Sequence, residues 1–169
     1  MAVLGVFPPI TLPAVGVPIT AQSLGVMLAG GILGAKRGAL SMVLFLILVA
    51  IGLPLLAGGR GGFGIFLGPS GGFLVGWIAA AFTIGFIIEK FWGKLNFAIA
   101  FGACVAGGIV LLYLIGIPWI AVAAKISLWK AFTGSLAFIP GDFVKAVIAT
   151  AVILSVSKAY PIISQEVKN

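Results

Sequence analysis

Asp142 and Lys145 stand three residues apart in the stretch FIPGDFVKAVIA, residues 138–149. Residues at that spacing share one face of a helix, so an acceptor-only carboxylate and a three-donor ammonium project together. Asp142 is expected at the start of a helix that follows a break at Pro140-Gly141, where an acidic cap is worth about 1 kcal/mol. Capping does not account for Lys145, because a cation in the first turn opposes the helix macrodipole. Arg60 raises the same question. It lies alone in GLPLLAGGRGGFGIFLGPSGGFLVGW, residues 52–77, with no other charge for more than twenty residues on either side. Its planar fork of five donors suits a carboxylate. Glycines 58, 59, 61, 62 and 64 around it permit positive φ and close backbone approach to a ligand. Gln22 adds one amide. One carboxylate, two or three cations, an amide and walls of glycine and aromatic residues suit a ligand with an apolar body, an anionic end and N–H donors.

The elements that hold these residues are membrane spans. Of 169 residues 62% are hydrophobic and 8% charged, against roughly 25% charged in a soluble domain. The stretches 38–59, 61–88 and 95–124 carry no charge, and about 20 apolar residues suffice for one transmembrane helix. The chain therefore reads as a single integral membrane domain, 1–169. After MAVLGVF, taken as the outer half of a helix whose beginning is missing, five spans are expected near 22–35, 39–56, 70–88, 95–117 and 141–158. The fold class is a compact six-helix, all-α bundle with outer loops rich in proline and glycine. Gly30, Gly34 and Gly38 lie four apart, as do Gly68, Gly72 and Gly76; small residues at that spacing let helix backbones approach closely in lipid.

Charge between the spans sets the orientation. Lys36, Arg37, Glu89, Lys90, Lys94, Lys158 and Lys168 are placed on the cytoplasmic side, which puts six of the ten basic residues inside. Arg60, Lys125, Lys130 and Lys145 then fall toward the outer side. Glu89, among basic residues, is expected to be solvated. The connector 118–140 is expected to hold a short interfacial helix, with Trp119 and Trp129 at headgroup level and Lys125 and Lys130 facing water. The segment PPITLPAVGVPITAQ, 8–22, has four prolines and cannot be a helix. Irregular apolar backbone at membrane depth needs cover from protein or a cavity to line, so this loop is a candidate cap over a pocket.

Several function classes are excluded. Basic residues scattered singly or in pairs make no nucleic-acid face. The one cysteine, Cys104, lies in an apolar run and makes neither a disulfide framework nor a metal site. With no histidine and three acidic residues, metal hydrolases, His-dependent triads and carboxylate dyads have no parts. The chain is not expected to be an enzyme, and a lipid-modifying membrane enzyme would have only Asp142, Glu89 and Lys145 to draw on.

The motifs VPITAQ, GGRGGFGIFLGPSGG and PGDFVK, in that order, resemble the biotin-specific S component (BioY family) of energy-coupling-factor (ECF) transporters, over roughly residues 17–160. The family more often has Leu, Thr and Tyr where this chain has Ala21, Ser70 and Phe73. The resemblance implies a six-helix membrane protein of the bacterial cytoplasmic membrane, with both termini cytoplasmic and a biotin pocket open to the outside. It implies a transmembrane coupling subunit (EcfT-like) and two cytoplasmic ABC ATPases as partners, with lipid around the bundle. In such transporters the S component topples in the membrane to release its cargo. Biotin enters as transported ligand; no cofactor is expected, and ATP is used by the partner ATPases alone. The substrate-binding set implied is Gln22, Arg60, Gly62, Phe73, Asp142 and Lys145. Asp142 would accept from a ureido N–H while Lys145 or Gln22 donates to the ureido carbonyl, with Phe73 and Phe63 as apolar walls. The residues leave two pairings for the ligand carboxylate, with Arg60 or with Lys145. An S component for riboflavin or thiamine is the other ligand assignment; the absence of a second carboxylate and of stacked loop aromatics weighs against it.

Overall fold

The computed structural model describes residues 1–12, 16–159 and 163. Residues 13–15 of the proline segment, and the tail with Glu166 and Lys168, lie outside that set. In chain order the elements are α1 (Ala2–Gly5), β1 (Ile10–Leu12), β2 (Val17–Ile19), α2 (Gln22–Leu33), α3 (Ala35–Ala50), α4 (Gly64–Leu67) and α5 (Gly71–Lys90). Two long helical stretches complete the chain, α6 (Phe97–Ala123) and α7 (Leu128–Ala159). The last three are long and apolar enough to cross a membrane, whereas α2 is a shorter apolar helix. The protein is mostly helical, and the proline segment is the exception. There β1 and β2 pair antiparallel, with Thr11 opposite Pro18, so backbone groups that a helix would have satisfied are satisfied across a ribbon instead.

Local chemistry explains the starts and stops. Asn96 accepts from the Ile99 N–H at the start of α6, and Ser127 accepts from the Lys130 N–H at the start of α7; both are ordinary N-caps. The only residue between α2 and α3 is Gly34, whose φ of +87° suits glycine. Lys36 and Arg37 consequently occupy the first turn of α3 and not a loop. Glu89, at the end of α5 and expected in water, is half-buried and engaged by the protein. Its Oε1 accepts from the Ala35 N–H at 2.7 Å and so caps α3 from a neighbouring helix.

Pro140-Gly141 does not break the chain. A 3₁₀ turn over Leu136–Phe138 runs straight into the helix Ile139–Ala159. Proline is tolerated in a first helical turn because its missing N–H has no intrahelical partner there. Asp142 is thus a first-turn residue within a longer helix, and its side chain is free of capping duty. The expected interfacial helix is the amphipathic opening of α7 (128–135), with Trp129, Lys125 and Lys130 all exposed. Trp119 belongs instead to α6 and donates its indole N–H to the Gly68 carbonyl at 2.9 Å.

In the core, α5 packs against α2, α3 and α6, and α7 packs against α2 and the first half of α6. Four of the six spaced glycines lie where helices cross, Gly38 where α3 meets α2. A Cβ on Gly30 would strike the Ala81 carbonyl, one on Gly38 would come within 2.8 Å of the Ala29 carbonyl, and Gly72 and Gly76 face Trp119 and Leu112 of α6. Gly34 and Gly68 are helix ends. Cys104 is fully buried in the same core. A π-helical segment, Ala106–Leu111, interrupts α6 just before Tyr113. Such segments shift a helix's register and recur at functional sites.

Candidate functional site

At the end of the bundle away from Glu89, one cavity is lined by five of the six expected site residues: Gln22, Arg60, Phe73, Asp142 and Lys145. Its free interior is small, about 70 Å³, and opens at a mouth. The ribbon contributes Val17 to Ile19 and the following Thr20 to one wall, α5 contributes Phe73, Leu74 and Trp77, and α6 contributes Leu112 and Tyr113. Gly62 does not line it. With φ of +95° and its N–H on the Val49 carbonyl at 2.7 Å, Gly62 is a turn between the Arg60 loop and α4. Phe63 also points elsewhere; it is exposed and packs on Phe66.

The polar centre joins three helices. Asp142, buried in α7, accepts at Oδ1 from Lys145 Nζ at 2.9 Å and from Ser23 Oγ at 3.3 Å. Its Oδ2 accepts from the Tyr113 hydroxyl at 2.7 Å. Lys145 Nζ also donates to Ser23 Oγ at 3.0 Å, closing a triangle. A carboxylate has about four lone-pair sites and an ammonium three donors. Among the described residues three of the former and two of the latter are occupied, so one acceptor and one donor remain beside the cavity. Burial makes such a pair hard to leave unmatched and strong once matched.

Aromatic rings shape the space next to it. Phe73 meets Tyr113 and Phe138 edge to face, with centroids 6.0 and 6.4 Å apart. Its ring lies over Gly116, where a Cβ would fall 2.5 Å from the ring carbons. Glycine at 116 therefore gives Phe73 its seat.

Arg60 approaches from the loop between α3 and α4. It exchanges both backbone hydrogen bonds with Leu56, at 3.0 and 3.2 Å, and its Nε donates to the Ala57 carbonyl at 3.0 Å. The two terminal guanidinium nitrogens bond no described residue, leaving four N–H groups for a ligand. Partial burial lowers its pKa from the ordinary arginine value, yet arginine stays charged at any physiological pH. Gln22 is placed in the lining but is engaged by the same loop: its Oε1 accepts from the Ala57 N–H at 2.9 Å and its Nε2 donates to the Leu55 carbonyl at 3.0 Å.

Tyr113 and Ser23 are absent from the sequence-derived set. Tyr113 had a usable signal, being a hydroxyl inside the uncharged run 95–124, and a buried tyrosine hydroxyl needs a partner. Ser23 had none, since a serine beside Gln22 at a helix start is unremarkable in type.

Comparison with known proteins gives the family. Residues 1–162 match the model of the BioY family. The chain is 51% identical, over 95% of its length and 88% of the relative's, to the biotin transporter BioY of Rhizobium etli. It is 49% identical to the biotin transporter BioY of Rhodobacter capsulatus, over 94% of this chain and 87% of that one. In three dimensions it is similar, at TM-score 0.89 and 36% identity, to the crystal structure of the S-component for biotin from an ECF-type ABC transporter, covering 93% of this chain and 84% of the other. A family match over nearly the whole chain, with relatives about half identical to it, means that this chain belongs to the BioY family.

Proposed function

We propose that the chain is the biotin-capturing membrane subunit, the S component, of an ECF-type vitamin importer. The observation that carries this is the unused pair at the polar centre, one acceptor on Asp142 and one donor on Lys145, beside apolar walls. A cyclic urea presents an N–H next to a C=O and answers that pair. The thiophane ring and valeryl chain of biotin suit Phe73, Trp77 and Leu112, and its carboxylate suits the open end of Arg60. Because Lys145 is committed to Asp142 and Ser23, Arg60 is favoured over Lys145 as the carboxylate's partner. Gly62 contributes through the shape of the Arg60 loop. The chain is a transport subunit and not an enzyme, as its family membership gives.

The finer assignments follow from that role. The bundle spans the cytoplasmic membrane six times, with α2 and α3 among the shorter crossings, and both termini are cytoplasmic. The cavity faces outward, since the basic cluster Lys36, Arg37, Lys90 and Lys94 marks the opposite end as the inner one. A coupling subunit and two ABC ATPases supply the energy, and the chain itself uses no cofactor. The test is mass spectrometry of the small molecule that co-purifies with the chain, followed by retention assays with biotin, riboflavin and thiamine. Biotin alone is expected to be retained; retention of riboflavin or thiamine in its place would overturn the ligand assignment.

A further inference from the structure

Gln22 is 1% exposed, and its amide is bonded at both ends to backbone groups two residues apart, Leu55 C=O and Ala57 N–H. Leu56, between them, holds the backbone of Arg60 through two hydrogen bonds, and the Ala57 carbonyl holds the Arg60 side chain through Nε. The contacts form one closed chain, from the first residue of α2 to the cation that lines the cavity. Without it the turn has little stiffness of its own, because Gly58 and Gly59 at its tip carry φ of +78° and +68° and a Cβ on Gly59 would meet nothing. The loop is braced from two further sides. A Cβ on Gly5 would strike the Leu55 carbonyl and come within 3.2 Å of Gln22 Nε2, and one on Gly61 would come within 2.7 Å of the Leu53 carbonyl carbon.

We infer that Gln22 is a positioning residue: it fixes the 55–60 turn so that Arg60 is held ready for the anionic end of the ligand, and it does not serve the ligand's urea. The inference rests on the proposed function. Its physical basis is preorganisation, since a guanidinium already held in place loses less rotamer freedom when the carboxylate arrives. A buried primary amide must also keep its partners, which ties Gln22 to the loop in the empty protein as well as the loaded one.

Two ligands separate this role from direct contact: biotin, and biotinamide, which keeps the urea but carries a neutral end. Both are titrated by calorimetry into the detergent-purified full chain as wild type, Gln22→Met, Arg60→Gln and the double variant. Gln22→Met is expected to weaken biotin about tenfold, the size of one charge-assisted bond, and biotinamide less than about threefold. In the double variant the loss equals that of Arg60→Gln within about twofold, because the two residues act as one unit. Gly61→Ala, which pushes the same loop from the Leu53 side with Gln22 intact, is expected to reproduce the carboxylate-selective loss and carries the test if Gln22→Met does not fold. Equal losses for biotin and biotinamide, or losses that add in the double variant, overturn the inference while leaving the proposed function standing. A wild-type protein that binds neither ligand overturns both.

Discussion

Two carboxylates at opposite ends of this bundle do different work with the same group. At the cavity end, Asp142 gathers side-chain donors from three helices, Tyr113, Ser23 and Lys145. At the other end, Glu89 reaches across from α5 to a backbone donor, the Ala35 N–H that opens α3. The Glu89 contact satisfies one of the orphan N–H groups at a helix start and offsets the unfavourable placement of Lys36 and Arg37 in that first turn. It is a structural joint. The Asp142 cluster instead leaves an acceptor and a donor unused beside an apolar cavity, which is how a binding site differs from a cap. The difference lies in the donors: a backbone N–H is fixed by the helix, whereas hydroxyls and an ammonium can share with a ligand.

The comparison can be broken most sharply at Asp142. Asp142→Asn keeps the shape but removes the charge that aligns Lys145, and biotin affinity is expected to fall about a hundredfold or more, from loss of a charge-assisted bond and its support; calorimetry showing unchanged affinity would take Asp142 out of the site. Arg60→Gln is next, with an expected loss of about ten- to a hundredfold for biotin and little change for biotinamide in the same titrations. Tyr113→Phe deletes only the hydroxyl on Oδ2, so affinity is expected to drop by about threefold to tenfold. An unchanged value there would mean that Tyr113 serves packing alone. Glu89→Gln tests the other end. It should lower stability by about 1 kcal/mol, the usual worth of a cap, read as a lower thermal midpoint in detergent, and leave biotin affinity untouched. A loss of binding from Glu89→Gln would show that the two ends are coupled and would dissolve the contrast.

The charged members of the site were legible because charge in an apolar sequence is costly and rare. Arg60, Asp142 and Lys145 announced themselves by that cost, and all three line one cavity. The long spans were legible for the converse reason, uninterrupted hydropathy. Boundaries were less so: α7 begins at Leu128, well before the expected 141, because a 3₁₀ turn at Leu136–Phe138 restarts the helix at Ile139 and leaves Pro140 in the first turn of that segment, where its missing N–H costs little. The proline segment was legible as non-helical but not as a ribbon, since strand pairing depends on a partner. Glu89's structural contact was not legible because the Ala35 N–H that engages it lies fifty-four residues away in sequence.

By itself the sequence determined a membrane-embedded helical protein, a charge polarity from one end to the other, and a short list of side chains too costly to lack a purpose. Its three motifs also carried the family. Tertiary structure alone decided how those side chains are occupied. It brought Tyr113 and Ser23 onto Asp142, engaged both ends of the Gln22 amide with the Arg60 loop, and placed Gly62 in a turn. The physical reason is that residue type sets how many hydrogen bonds a group can make, while only the folded chain determines which of them are already made.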